Sequence, residues 1–242
     1  MASKAAMDKF RLKREVRVAA GLGWRLFPIK AGDKRPPLLK NWPAKASRDL
    51  GQLEEWAGQF PKCNWGMATG SDSKVFVLDV DGEKGKAALL AFRRQGQELP
   101  ATLMVTTGSG IHLYFRWPSS HSIRNSARKL AQGLDIRGEG GYVVIPPSVH
   151  PNGKQYAFDD PDRPIADAPG WFLLFHAHAR IVGNPAWVEA LGQGRGAPRS
   201  ARFSLDAELA RPILAEPGWH SGRFFGKDSL SLMKVHCGPK LR

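Results

Sequence analysis

The sequence predicts an α+β fold: a mixed α/β domain of short strands with a few helices between them. Three observations carry that expectation. Runs rich in Val, Ile, Leu and aromatic residues alternate with amphipathic stretches, a pattern that suits neither a helix bundle nor a sandwich. Apolar residues make up 42% of the 242 residues, enough for a sizeable core. No repeat or low-complexity tract interrupts the alternation.

In chain order, residues 8–22 (DKFRLKREVRVAAGL) read as a basic amphipathic helix closed by Gly21 or Gly23. WRLFPI (24–29) is a short strand, followed by a Pro-rich basic loop ending at Ser47. Ser47 can cap a helix running to about Gly58, with Leu50, Leu53 and Trp56 on its apolar side. NWGMATG (64–70) is a strand entering a Gly turn, and VFVLDVDG (75–82) is a strongly apolar strand ending in acids. GKAALLAFRRQG (85–96) reads as a helix. ATLMVTT and HLYFRW are strands around the turn Gly108-Ser109-Gly110. IRNSARKLAQ (123–132) reads as helix or basic loop, and LDIRGEGGYVVIPPSV (134–149) as a strand pair around a Gly-rich turn. KQYAF is a further short strand, and WFLLFHAHA begins a helix. GNPAWVEALGQGRGAPRSAR (183–202) has linker character, so a boundary is expected near residue 180. This divides the chain into a principal domain, 1–180, and a short basic C-terminal segment, 181–242.

Charge and cysteine content exclude several classes. No window approaches the apolar length that crosses a bilayer, so no membrane partner is expected. The N-terminal residues lack the apolar core and cleavage site of a secretory signal. Cys63 and Cys237 cannot build a disulfide framework, and no zinc-ligand spacing exists. A cytoplasmic location is the simplest expectation. The net charge of +14 is uneven: residues 1–50 hold 13 Lys/Arg against 4 Asp/Glu, whereas residues 51–170 hold 13 of each. Basic ends around a neutral, acid-containing centre suit a polyanion binder whose acids hold cations, and equally an inert basic surface.

Three blocks carry chemistry. In Val75–Asp81 alternation puts Asp79 and Asp81 on one strand face, with Cα atoms roughly 6.5 Å apart. Paired carboxylates repel unless a cation lies between them, and Mg²⁺ or Mn²⁺ takes such oxygen ligands. The competing reading is a solvated Asp-Gly turn at a strand end. In the second block, the Gly-Ser-Gly turn offers backbone N–H groups to phosphate oxygens, and His112 begins the strand after it. A buried histidine satisfied by a carbonyl is the alternative. In the third block, Asp135 sits in the apolar run LDI, where a lone charge is costly unless paired or metal-bound, and Arg137 shares its strand face. A surface Asp135–Arg137 pair on a hairpin explains the same residues.

Taken in order, LDVD (Asp79, Asp81), GIH (Gly110 to His112) and LD (Leu134, Asp135) resemble the motifs of the bifunctional primase/polymerase family of the archaeo-eukaryotic primase superfamily. The surrounding GWRLFPI, NWGMATG, RNSARKL and GLDIRGEGGYVVIPPSVHPNG are similar to it as well, so the resemblance spans roughly residues 20–165. It implies a catalytic core with an RRM-like sheet beside a smaller α/β unit. It implies template-directed nucleotide addition by two-metal phosphoryl transfer, with dNTP or NTP as substrate and single-stranded or primed DNA as template. By position, Asp79, Asp81 and Asp135 would ligate two Mg²⁺ or Mn²⁺ ions. His112 would bind nucleotide phosphates, with Ser109, Gly110 and Arg137 as further contacts. Lys34 and Arg124 would touch nucleotide or template. Larger relatives continue into a helicase; no G-x-x-x-x-G-K-[ST] loop occurs here, so a replicative helicase would be a separate partner. Plasmid, phage or mobile-element replication is the setting the resemblance implies. The alternatives are a non-catalytic DNA-binding replication initiator, a haloacid-dehalogenase-like phosphatase suggested by VLDVDG, and a metal-dependent nuclease.

Overall fold

The computed structural model describes residues 12–119, 122–173 and 176. In chain order the elements are α1 (Arg14–Gly21), β1 (Leu26–Ile29), α2 (Trp42–Lys45), α3 (Leu50–Gln59), β2 (Asn64–Ala68), β3 (Val75–Asp81) and α4 (Gly82–Arg94). They continue with β4 (Met104–Thr106), β5 (Gly110–Arg116), β6 (Ser126–Ala131), β7 (Leu134–Arg137), β8 (Tyr142–Ile145) and β9 (Ala157–Phe158). The strands form two sheets, ordered β6-β7-β3-β5-β4-β9 and β1-β2-β8, with every named pair antiparallel. The fold class is the expected α+β.

The run Val75–Val80 explains why β3 lies inside the large sheet. Its first four residues, Val75–Leu78, are apolar on both faces and buried, and such a strand needs cover on both. Phe76, Leu78 and Val80 pack with Ala88 and Phe92 of α4 and with Leu134, Ile136, Phe115 and Phe172. Val75 and Val77 face the other way, into a core shared with Trp24, Leu26, Phe27, Met67 and Ile145 of the small-sheet side. Trp24 stacks on Tyr114 there, centroids 4.9 Å apart and planes 8° from parallel. Asp79 and Asp81 continue the Val75–Val77 face, so the acids stand where the layer between the sheets opens to solvent.

Three expectations change. Residues 126–131 form a strand rather than a helix or loop: β6 pairs with β7 through a register irregularity, and Leu130 and Ala131 are buried. The basic composition of RKL hides this, although the partner is the very next strand, reached through the short turn at Gln132 and Gly133. The 134–149 block is not a hairpin. β7 joins the large sheet and β8 the small one, so the glycines between them carry the chain from layer to layer. Gly141 N–H still donates to Gly138 C=O at 3.0 Å, but the arms of that turn diverge. Gly138 is required because a Cβ there would lie 2.1 Å from the Ile123 carbonyl oxygen. Finally, Asp49 rather than Ser47 caps α3: its Oδ1 accepts from Gln52 N–H at 2.8 Å, while Ser47 Oγ accepts from Asp49 N–H. Leu53 and Trp56 are buried as expected, but Leu50 is exposed. The boundary near residue 180, the segment 181–242, the start of the N-terminal helix and Cys237 lie outside the described residues.

Candidate active site

Strand register assembles the site. Asp79 on β3 stands opposite His112 of β5 on one side and Asp135 of β7 on the other. Two residues back, Val77 is flanked by Tyr114 and Arg137; two residues on, Asp81 faces Gly110. Partners directly opposite in a ladder project to the same face, so Asp79, Asp81, Asp135, His112 and Arg137 share one surface. Three separate blocks of sequence meet there.

Charge on that surface is partly compensated by the chain itself. Arg137 Nη2 lies 3.1 Å from Asp135 Oδ2 and 3.3 Å from Asp79 Oδ2, bridging the two carboxylates. His112 Nε2 is 3.6 Å from Asp79 Oδ1, an electrostatic contact longer than a hydrogen bond. Burial holds the His112 imidazole below its ordinary pKa; Asp79 opposes that, while Arg137 and Lys34 reinforce it. Its Nδ1 is buried without a hydrogen-bond partner among the described residues. A neutral ring with one nitrogen uncommitted is suited to hydrogen bonding rather than to carrying charge.

Asp81 is held differently. It occupies the N-cap position of α4, yet its side chain does not cap the helix. Its Oδ1 instead accepts from Ser109 Oγ at 2.7 Å. Gly110 lets this happen: a Cβ at that position would lie 1.9 Å from the Val80 carbonyl oxygen, so only glycine allows β5 to start so close to β3. The N–H groups of the turn are less free than the sequence suggests. Thr107 Oγ1 accepts from both Gly110 N–H (2.9 Å) and Ser109 N–H (3.3 Å).

Lys34 lies on the loop after β1. It is exposed, its carbonyl accepts from Tyr142 O–H at 3.1 Å, and its charge bears on His112. The loop therefore contributes positive charge to the electrostatics of His112. Arg124 is exposed; its backbone bridges to that of Glu139, in the turn after Arg137, and its carbonyl meets His176 Nε2 at 3.2 Å.

Sequence reasoning gave no role to Tyr156, His150 or Asn152. The Tyr156 ring lies between His112 and His150, with centroids 6.1 and 5.9 Å away. Burial, with Asp79 and Asp81 nearby, holds its phenol well above the usual range. His150 and Asn152 press on the Gly108 end of the turn. The signal was His-Pro-Asn-Gly just after the third block, a turn-forming string with two polar side chains. A separate cleft of about 370 Å³, lined by Arg25, Ala46, Ser47, Arg48, Asp49 and Asp72, contains none of these residues. Its Arg25 is committed to Asp72 and to the Ala46 carbonyl.

The donor set can be tested for a metal. Three carboxylates on adjoining strands are the all-oxygen chemistry that Mg²⁺ or Mn²⁺ takes, and a positive group already sits between two of them. The residues fit a hard divalent cation in kind. In the arrangement observed, Arg137 takes the place between Asp79 and Asp135, and among the described residues no group of three or more His, Cys, Asp or Glu side chains is set to hold a metal ion. No helix among the described residues is long and apolar enough to cross a membrane.

Comparison with known proteins gives one family. The model described as bifunctional DNA primase/polymerase, N-terminal (Prim-Pol), matches residues 15–171, more than half of the 242 residues. The match covers every strand among the described residues and the whole carboxylate surface. A search among curated proteins finds no match.

Proposed function

Because the chain belongs to the bifunctional DNA primase/polymerase family, we propose that it is a template-directed nucleotidyltransferase that makes primers, extends DNA, or does both, with Asp79, Asp81 and Asp135 as its metal-binding carboxylates. The family is typically metal-dependent, and its substrates are DNA and nucleoside triphosphates. The observation that carries the residue assignment is the register. Asp79 stands between His112 and Asp135, Asp81 lies two residues along the same face, and Arg137 reaches both Asp79 and Asp135.

Bound by these carboxylates, Mg²⁺ or Mn²⁺ would neutralise the triphosphate and help ionise the attacking 3′-hydroxyl. The chain's own side chains have other work. Arg137 and Lys34 supply positive charge for phosphate oxygens, Arg137 by turning from the carboxylates toward the nucleotide. His112, kept neutral by burial, hydrogen-bonds to a phosphate oxygen without adding charge. Ser109 orients Asp81. With the two N–H groups of its turn bonded to Thr107, contact there falls to side chains rather than to a backbone nest. Arg124, exposed beside the β6 edge, is assigned to template DNA rather than to the nucleotide. Replication of a plasmid, phage or other mobile element, with a separate helicase, is the setting proposed.

The test is a paired assay of wild type and the Asp79→Ala/Asp81→Ala variant with labelled nucleotides and Mn²⁺ or Mg²⁺, on a primed template and on an unprimed single strand. Wild-type product on both, lost in the variant, supports a primase/polymerase. Product on the primed template alone supports a polymerase that does not initiate. DNA binding without incorporation would replace the enzyme with a replication initiator. That second reading has one observation in its favour, the guanidinium lodged between Asp79 and Asp135. Cleavage of labelled DNA without nucleotides would indicate a nuclease.

A further inference from the structure

The turn that holds Ser109 is braced from outside the three motif blocks. Asn152 Nδ2 donates to the Gly108 carbonyl at 2.9 Å. The His150 ring lies directly on the Gly108 backbone: a Cβ at Gly108 would be 2.1 Å from His150 Cγ and 2.2 Å from its Nδ1. His150 and Asn152 are themselves locked together. His150 Nδ1 accepts from Asn152 N–H at 3.2 Å, and Asn152 Oδ1 accepts from Lys154 N–H at 3.1 Å. His150 N–H donates to the Lys154 carbonyl at 2.8 Å, so the loop is closed on itself before it meets the turn.

Because Nδ1 of His150 accepts, the ring proton sits on Nε2, and that nitrogen is buried without a partner among the described residues. Burying an unpaired donor has a cost, so nothing about the ring's own polarity favours this position. What the position achieves is contact with Gly108 and with Tyr156, whose other neighbour is His112. On the far side of the turn, the residue immediately after Gly108 is Ser109, whose hydroxyl donates to Asp81. Asp81 has no cap bond to its own helix to orient it. Its carboxylate therefore takes its direction from a turn whose position is set by His150 and Asn152.

We propose that His150 and Asn152 are positioning residues for Asp81, acting through the Gly108–Ser109 turn, and that Gly108 is glycine because the His150 ring occupies the space of its side chain. This rests on the reading of Asp81 as a metal-binding carboxylate. Neither residue touches the reacting atoms; their effect is on where the Asp81 oxygens stand. Partners that orient a metal-binding side chain typically change metal affinity by about 10–100-fold when removed.

The experiment is a titration of the purified full chain with Mn²⁺ alone, read by electron paramagnetic resonance of the free ion, for wild type, Gly108→Ala, His150→Ala, Asn152→Asp and the double variant Gly108→Ala/His150→Ala. Thermal melting of each is recorded in parallel. For the methyl of Gly108→Ala to reach an ordinary 3.4 Å contact, the ring or the turn must move by about 1.3 Å from the 2.1 Å that a Cβ would have. Gly108→Ala should therefore weaken Mn²⁺ binding about tenfold. Asn152→Asp, which removes the donor to Gly108, should act in the same direction. The double variant should lose less than the sum of the two single losses, because the vacated ring removes the 2.1 and 2.2 Å contacts and leaves the new methyl facing Asn152 Oδ1 at 2.7 Å. Such non-additivity marks groups in direct contact.

If wild type binds Mn²⁺ and the folded Gly108→Ala and Asn152→Asp chains bind it equally well, the positioning role is wrong while the metal reading stands. Strict additivity in the double variant also overturns it. If wild type itself binds no Mn²⁺, the carboxylate reading fails and takes this proposal with it. Should His150→Ala not fold, Gly108→Ala and Asn152→Asp decide the matter on their own.

Discussion

Replacing Arg137 with alanine should produce two effects of opposite sign. Its Nη2 stands 3.1 Å from Asp135 and 3.3 Å from Asp79. At an effective dielectric of about 20, each contact would be worth about 5 kcal/mol in isolation. The Arg137 side chain is 37% exposed, however, so solvent screening brings the sum to about 1–2 kcal/mol, the range of exposed pairs with favourable geometry. A cation bound by Asp79 and Asp135 must displace that guanidinium. Arg137→Ala removes the competitor and leaves two carboxylates opposite one another on paired strands. In the metal-free protein this lowers stability by about 1–2 kcal/mol. The same energy returns as Mn²⁺ affinity, about tenfold tighter at about 1.4 kcal/mol per tenfold. Nucleotide incorporation should nonetheless fall, because a phosphate contact is lost. Calorimetric Mn²⁺ titration, melting with and without Mn²⁺, and primer extension separate the three quantities. Unchanged or weaker Mn²⁺ binding in Arg137→Ala would refute the competition, and would mean that Arg137 organises the carboxylates instead of occupying their site.

Three other outcomes follow from the geometry. His112→Ala should raise KM for the incoming nucleotide about tenfold or more while changing template affinity little; equal losses in both would remove His112 from the nucleotide site. Tyr114→Phe should stabilise the fold by about 1 kcal/mol, since the phenol is buried with no partner for its hydroxyl among the described residues. Burial raises that phenol above its ordinary value of 10.0, so the folded chain keeps a proton that the unfolded chain gives up. The wild type accordingly loses stability as pH rises above about 10, and the Phe variant should lose less; denaturant titrations between about pH 8 and 11 would reveal parallel slopes if the reasoning is wrong. Gly110→Ala places a methyl 1.9 Å from the Val80 carbonyl oxygen and should cost about 2–3 kcal/mol in melting experiments, a cost an unchanged melting temperature would disprove.

Much of the site is legible in the sequence, because period-two alternation states which residues of one strand share a face. Asp79 with Asp81, His112 with Tyr114, and Asp135 with Arg137 each pair off from their own segment. Alternation says nothing about which strand lies beside which. The Gly-rich stretch 138–141 looks like a hairpin because a local turn and two apolar arms satisfy every short-range rule. Only packing sends one arm to each sheet. The strand 126–131 is hidden for the opposite reason: it does form a local pair with β7 across Gln132 and Gly133, but its basic, irregular composition does not look like a strand.

Single segments of the chain set the fold class, the family motifs and the strand faces on which the carboxylates stand. Those are local properties: an apolar run that must be buried, an acid that must be compensated, a glycine at a turn. Packing between distant segments put Asp79 between His112 and Asp135, set Arg137 across two acids, let the charge of Lys34 bear on His112, and pressed His150 onto Gly108. The reason is physical. A side chain's chemistry and its face follow from neighbours one or two residues away. Its partners are set by backbone ladders and close packing between segments tens of residues apart, and those form only when the whole core is buried together.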